Sequence, residues 1–202
     1  MTKKRKKQAN QKKPIEEIKE QPKSYRNLAF LIPIFFVALV VVFFHEPLLM
    51  SRHTFFSDAT YIFYPFHKTV ARAVHSGVLP LWNPYNAMGF PFIGDPQSMM
   101  LYPPIWLLSL LPFDAFYMWF VFLHYFVAAL GMYLLVRKLN YSIAAAVWGG
   151  IIFAFSGYLV SVHIFGNFYS SVWAPFVFYG IVRLRDKPSL VNLIISSVLI
   201  SL

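Results

Sequence analysis

Cysteine is absent, which excludes disulfides, thiolate metal sites and cysteine nucleophiles. Acidic residues are nearly absent too, eight in a chain of 202, and charged residues of all kinds make up only 13%. The chain contains no Walker-type phosphate loop, no GxGxxG, no HExxH and no GxSxG. Phosphate-loop nucleotide sites, dinucleotide folds, zincins and nucleophile-elbow hydrolases are therefore not expected. The six histidines (His45, His53, His67, His75, His124, His163) are scattered, with no pair at metal-ligand spacing on a common helix face. Neither a metal nor a cofactor is expected.

What the chain has instead is apolar length: 58% hydrophobic and 19% aromatic residues. Stretches of this kind bury themselves in lipid rather than in a globular core. The net charge of +10 resembles a nucleic-acid signature until it is mapped. Residues 1–27 hold ten basic residues against Glu16, Glu17 and Glu20, and so supply +7 of it. With Tyr25 as its only aromatic, this tail reads as a disordered cytoplasmic topology signal near an anionic leaflet. No recognised nucleic-acid module accompanies the charge, so no nucleic-acid partner is expected.

Five apolar segments follow, at about 28–44, 115–136, 142–162, 168–184 and 189–202. The basic region before the first is too long for a cleaved signal, and His45-Glu46-Pro47 offers no small-x-small site, so the segment reads as an uncleaved anchor. Only 14 residues follow Pro188, about 21 Å of helix against a hydrocarbon core of about 30 Å. The expectation is a piece of a longer protein. Fifteen Lys and Arg fall on the side of the tail and three (Arg52, Lys68, Arg72) on the other. This places the N-terminus inside and segment 45–114 outside. The expected fold is an all-α, polytopic helical membrane protein, with 1–27 as tail and 28–202 as the first part of its transmembrane domain.

The external loop 45–114 is too long and too aromatic for a spacer. Pro65 and Gly77 bracket an expected helix. Phe66, Val70 and Val74 share one face of it, with Lys68, Arg72 and His75 opposite. An amphipathic helix of this kind lies flat at a membrane surface. Residues 79–104, with six prolines and two glycines, read as an ordered irregular loop rather than helix or strand. Ile105–Leu111 reads as a short apolar turn or two.

The loop also holds the residues that can carry chemistry. Asp58 is either a turn or cap residue or a general base at the membrane face. Asp95, in Gly94-Asp95-Pro96, is a turn residue or a substrate contact. Lys68 and Arg72 lie one helical turn apart, and either snorkel to headgroups or clamp the phosphate of a lipid-linked substrate. Trp82, Tyr85, Phe90, Phe92 and Tyr102 anchor the interface or stack on a sugar ring, with Asn83 and Gln97 as hydrogen-bonding partners. His124 falls in mid-span, as a functional group or as a neutral histidine bonded across the bundle. His163 and Asn167 sit in the second outer loop, where they are candidates to face the cavity of Asp58.

The runs Ser57-Asp58-Ala59-Thr60-Tyr61, Ser76-Gly77-Val78-Leu79-Pro80-Leu81-Trp82-Asn83-Pro84-Tyr85 and Gly89-Phe90-Pro91-Phe92 resemble the bacterial YfhO membrane protein family. So do Tyr64-Pro65, Tyr102-Pro103-Pro104, Gly131-Met132-Tyr133 and Phe153-Ala154-Phe155-Ser156-Gly157. The likeness covers about residues 50–185 and omits the basic tail. It implies a GT-C-like glycosyltransferase in the bacterial cell membrane, using a polyprenyl-phosphate-linked sugar and a cell-envelope glycopolymer such as teichoic acid as acceptor. The GT-C pattern places an essential acid in the first external loop, and Asp58 is the position that matches. No Asp-x-Asp or Glu-x-Asp pair accompanies it. Two other readings remain open: a transporter or lipid flippase, and a non-catalytic membrane assembly protein. Membrane lipids are partners in all three.

Overall fold

A computed structural model of the chain describes residues 30–49, 59–86, 88–163 and 165–201. The chain divides into two units, Met1–Leu31 and Ile32–Leu202, and the account below concerns the second. The expected tail 1–27 lies outside the described residues.

The architecture is all-α. Helix α1 runs Leu31–Phe43 and α2 His45–Leu49; a π-type turn, Ala59–Phe63, leads into α3, Tyr64–His75. Strands β1, Trp82–Asn83, and β2, Phe90–Pro91, pair antiparallel, with Trp82 opposite Pro91 and Asn83 opposite Phe90. Tight helical turns at Phe92–Gly94 and Pro96–Ser98 precede α4, Pro103–Trp106, and a further turn at Leu107–Leu110. Then come α5, Phe113–Lys138, α6, Ile143–Ala154, α7, Gly157–Val162, α8, Gly166–Asp186, and α9, Leu190–Ser201.

Helix α5 is the central element and packs against α6 and α8, with α9 against α8. Its buried positions Tyr117, Phe120, Val121, His124, Tyr125 and Ala128 recur at helical spacing. The core they form is largely aromatic: Phe44 stacks on Phe122 at 4.1 Å and Tyr125 on Phe155 at 6.0 Å. The facing stripe of α6 is small, Ala146, Gly150 and Ala154, which lets the two backbones approach closely.

Among the described residues two stretches are long and apolar enough to cross a membrane, Phe113–Lys138 and Ile143–Val162. The other apolar helices, Leu31–Phe43 and Leu190–Ser201, are shorter, at 13 and 12 residues. The second stretch is not one helix, as the expected span 142–162 had it. It breaks at Phe155 and restarts when Ser156 Oγ accepts the Leu159 N–H at 3.3 Å. Window hydropathy does not register such a cap, because one serine barely alters the mean. Trp148 and Ile152 on α6, Ile34 and Val42 on α1, and Ile194 and Val198 on α9 are exposed. A folded domain in water rarely leaves so much large apolar surface open, whereas lipid accommodates it.

The expected amphipathic helix is α3, with Pro65 in its first turn and Gly77 at φ +71° just past its end. The segment after it is more regular than the irregular loop expected from its prolines. The β1–β2 pair and three helical turns satisfy much of its backbone.

Candidate functional site

Helix α3 is pinned along the first turns of α5 by matching periodicity. Tyr64, His67 and Lys68 meet Asp114 and Tyr117, so i, i+3 and i+4 on one helix oppose i and i+3 on the other. The Tyr64 hydroxyl donates to Asp114 Oδ1, and Lys68 Nζ bonds the same oxygen at 2.5 Å. His67 Nδ1 lies 2.9 Å from the Tyr117 hydroxyl. At the far end of α3, His75 Nδ1 donates to the Ser109 carbonyl at 2.7 Å. Beneath the helix, Phe66 packs edge-on against Phe92 at 5.1 Å and beside Phe90 at 5.9 Å.

From this layer the chain dips beside the bundle. The Tyr102 hydroxyl is 2.8 Å from His124 Nε2, and His124 lies 11 positions beyond Phe113 at the start of α5. That is about 16 Å along the helix axis. Proton positions in this cluster follow from the partners. The Phe120 carbonyl can only accept, so His124 Nδ1 carries a proton and donates to it at 2.7 Å. His124 Nε2 then accepts from Tyr102 O–H, and the Tyr102 oxygen accepts from Trp173 Nε1–H at 2.8 Å. Burial pushes the Tyr102 hydroxyl up to about 12, the Trp173 N–H acting the other way, so it stays protonated and keeps donating. Of the two readings of His124, this geometry fits the histidine bonded across the bundle. Tyr102→Phe should leave a buried acceptor on His124 and a buried donor on Trp173 without partners. The expected loss is about 2 kcal/mol or more, read as a lower thermal midpoint of the detergent-solubilised protein.

A cavity of about 280 Å³ opens beside this cluster, between the turns at 93–102 and the first turns of α8. Asp95, Ser98, Tyr102, Tyr169 and Ser170 are among its lining residues. Asp95 Oδ1 accepts the Gln97 N–H at 2.8 Å and so caps the turn that follows it. A second, almost wholly apolar groove of about 260 Å³ lies between α1, α5 and the Leu107–Leu111 turn, lined by Val37, Val40, Leu108, Leu111, Phe116 and Trp119.

The sequence-predicted site residues do not converge on one point. Asp58 lies outside the described residues. Lys68 is half-buried with its ammonium on Asp114, whereas Arg72, one turn on, is exposed. Trp82 is exposed, its indole lying against Gly89, where an added Cβ would meet Trp82 Nε1 at 2.6 Å. Asn83 is buried, and its Oδ1 accepts the Tyr85 N–H at 3.0 Å, a local turn bond. Asp95 borders the cavity. His163 is half-buried at the end of α7, its Nδ1 donating to the Val160 carbonyl at 2.5 Å; burial lowers its pKa. It does not line the cavity of Asp95.

Three residues escaped the sequence reading. Asp114, beside the start of an expected span, is the partner of Lys68 and Tyr64. His67 was read as one scattered histidine and is 1% exposed; its place beside Phe66 and Val70 in the apolar stripe was the available signal. Tyr169 lines the cavity from α8, and a tyrosine within an apolar segment gave no separate sign. Among the described residues no group of three His, Asp or Glu is placed to hold a metal ion. No protein-family model, curated protein or solved structure matches the chain.

Proposed function

We propose that the chain belongs to a polytopic membrane glycosyltransferase of GT-C type. On this reading it sits in the bacterial cell membrane with its N-terminus in the cytoplasm and residues 45–114 outside. It moves a sugar from a polyprenyl-phosphate donor to a cell-envelope glycopolymer such as teichoic acid. The observation that carries the reading is the apolar groove ending at the first turns of α5. Phe116 and Trp119 line the groove, while Asp114, on another face of α5, holds Lys68 of α3. A lipid chain suits such a groove, and Arg72, exposed on α3, is a cation whose chemistry suits a phosphate. Lys68, engaged by Asp114, serves there as a positioning charge.

In the reaction, Asp58 takes the proton of an acceptor hydroxyl. The hydroxyl oxygen forms a bond to the anomeric carbon, and the bond from that carbon to the phosphate oxygen breaks. The polyprenyl phosphate leaves with the electron pair. One displacement inverts the anomeric centre and needs a single base, unlike the carboxylate pairs of typical hydrolases. The test is Asp58→Asn in the chromosomal gene, with the sugar content of purified envelope polymer as readout. Polymer glycosylation should fall by about 100-fold or more at unchanged membrane levels of the protein. Normal glycosylation would remove Asp58 from the mechanism.

A further inference from the structure

We propose that residues 96–111 form a re-entrant membrane segment, with Leu101, Leu107 and Leu110 against lipid acyl chains. It enters the outer leaflet beside α5 and α8 and returns to the same side. The proposal rests on the membrane placement in the reading above, not on glycosyl transfer, and moves part of residues 45–114 from outside into the hydrocarbon. Composition is the first support. From Pro96 to Phe113 no Asp, Glu, Lys, Arg or His occurs, and Asp95 and Asp114 bracket the run. Its most apolar part, 99–111, has the length of a re-entrant or interfacial piece and is too short to span.

Depth is the second support. Asp114 and Arg137 mark the ends of the apolar length of α5. His124 lies ten positions from the first and thirteen from the second, about 15 and 20 Å along the axis. The Tyr102 hydroxyl reaches His124 Nε2 at 2.8 Å and accepts the Trp173 Nε1–H at 2.8 Å. Trp173 itself lies seven positions into α8 from Gly166, about 10 Å. A tyrosine side chain covers only part of such a depth, so the backbone around Tyr102 also lies below the level of Asp114. On the way back, Leu107 and Leu108 share one apolar groove with Val37 of α1 and with Phe116, Leu123 and Phe126 of α5. Leu101, Leu107 and Leu110 are 72%, 59% and 77% exposed. Leu107 thereby continues the surface of Trp119 and Leu123, which are exposed on α5.

The third support is the backbone. Non-helical chain lies at membrane depth only where its polar groups are satisfied without water. The N–H groups of Ser98, Met99, Tyr102 and Ile105 donate to the carbonyls of Asp95, Pro96, Met99 and Tyr102, and that of Met100 to Ser98 Oγ, all within 3.3 Å. Pro103 and Pro104 have no N–H to satisfy. Trp106 Nε1 donates to the Met100 carbonyl at 2.8 Å, and the Ser109 hydroxyl to the Trp106 carbonyl at 2.6 Å. The turns carry their own partners and present leucine outward.

Spin labels on the full chain in nanodiscs test this. The chain has no cysteine, so Leu101→Cys and Leu107→Cys each give a single attachment point. Leu123→Cys, exposed on α5, is the hydrocarbon reference, and Lys187→Cys, exposed just beyond α8, is the aqueous one. The readout is collision with oxygen relative to collision with a water-soluble nickel chelate. At Leu101 and Leu107 this ratio should lie near that at Leu123. It should exceed that at Lys187 by about tenfold or more, because hydrocarbon admits oxygen and excludes a hydrated chelate. A water-like ratio at either leucine, with a hydrocarbon-like one at Leu123, would overturn the re-entrant segment and leave the membrane placement standing. Scarce collision with both reagents would mean that protein rather than lipid covers the leucines, and would overturn it as well. A water-like ratio at Leu123 itself would remove the membrane placement and the proposal with it.

Discussion

Gly150→Ala should lower the stability of the detergent-solubilised protein by about 2–3 kcal/mol, whereas Gly149→Ala next to it should change it by less than about 1 kcal/mol. Both substitutions add one methyl group to α6 and bring the same helix-propensity gain of about 1 kcal/mol. They differ in what the methyl meets. At Gly150 it would sit 2.7 Å from the Ala129 carbonyl oxygen and 2.8 Å from Phe36 Cζ. The first is backbone of the central helix and the second a fully buried ring, so relief requires α5 and α6 to separate. At Gly149 the nearest atom is Val136 Cγ2 at 3.3 Å, a side chain that can adjust by a few tenths of an ångström. Thermal unfolding of the two variants side by side checks the prediction. Equal midpoints would mean that the α5–α6 contact is looser than these distances.

The parts of the fold legible in the sequence are those set by local chemistry. Pro65 and Gly77 mark α3 because one has a backbone preorganised for a first turn and the other takes the positive φ that ends it. Likewise, α5 is announced by unbroken apolar length between Asp114 and Arg137. What the sequence did not disclose was what distant partners fix. Lys68 looked free for a phosphate because acids are scarce, yet Asp114 lies 46 positions away and one helix over. Tyr102 looked like an interfacial ring, since nothing local foretells its bonds to His124, 22 positions on, and Trp173, 71 positions on. Asn83, named as a sugar contact from its amide chemistry, is buried, and its Oδ1 accepts the N–H of Tyr85 two positions on. The candidate cavity was half legible. Asp95 was named from the sequence, but Ser98, Ser170 and Tyr169 join it only when the 93–102 turns are laid against α8.

The layer around α3 should loosen in acid, and His67 should be the cause. Burial pushes its imidazole from an ordinary 6.5 down to about 3, and the nearby His124 ring adds to the shift. Its Nδ1 meets Tyr117, and Nε2 has no hydrogen-bond partner among the described residues. An added proton on Nε2 would therefore have no acceptor, and Asp114, the carboxylate of the layer, is already paired with Lys68. The opened chain binds that proton near pH 6.5 while the folded layer refuses it until about pH 3. Stability is thus full above about 6.5 and falls steadily as the pH drops through that window. The full slope is about 1.4 kcal/mol per unit and sets in only below the opened-state pKa, so going from pH 6.5 to 4.5 should cost about 2.3 kcal/mol, or about a fiftyfold increase in opening. Amide exchange over Tyr64–His75, corrected for the intrinsic pH dependence of exchange, reads this opening. His67→Gln keeps a polar group for Tyr117 but does not titrate, so its exchange should be nearly flat over the same range. If the wild type and this variant lose protection in parallel, the acid sensitivity belongs to other groups and His67 is a passive core residue.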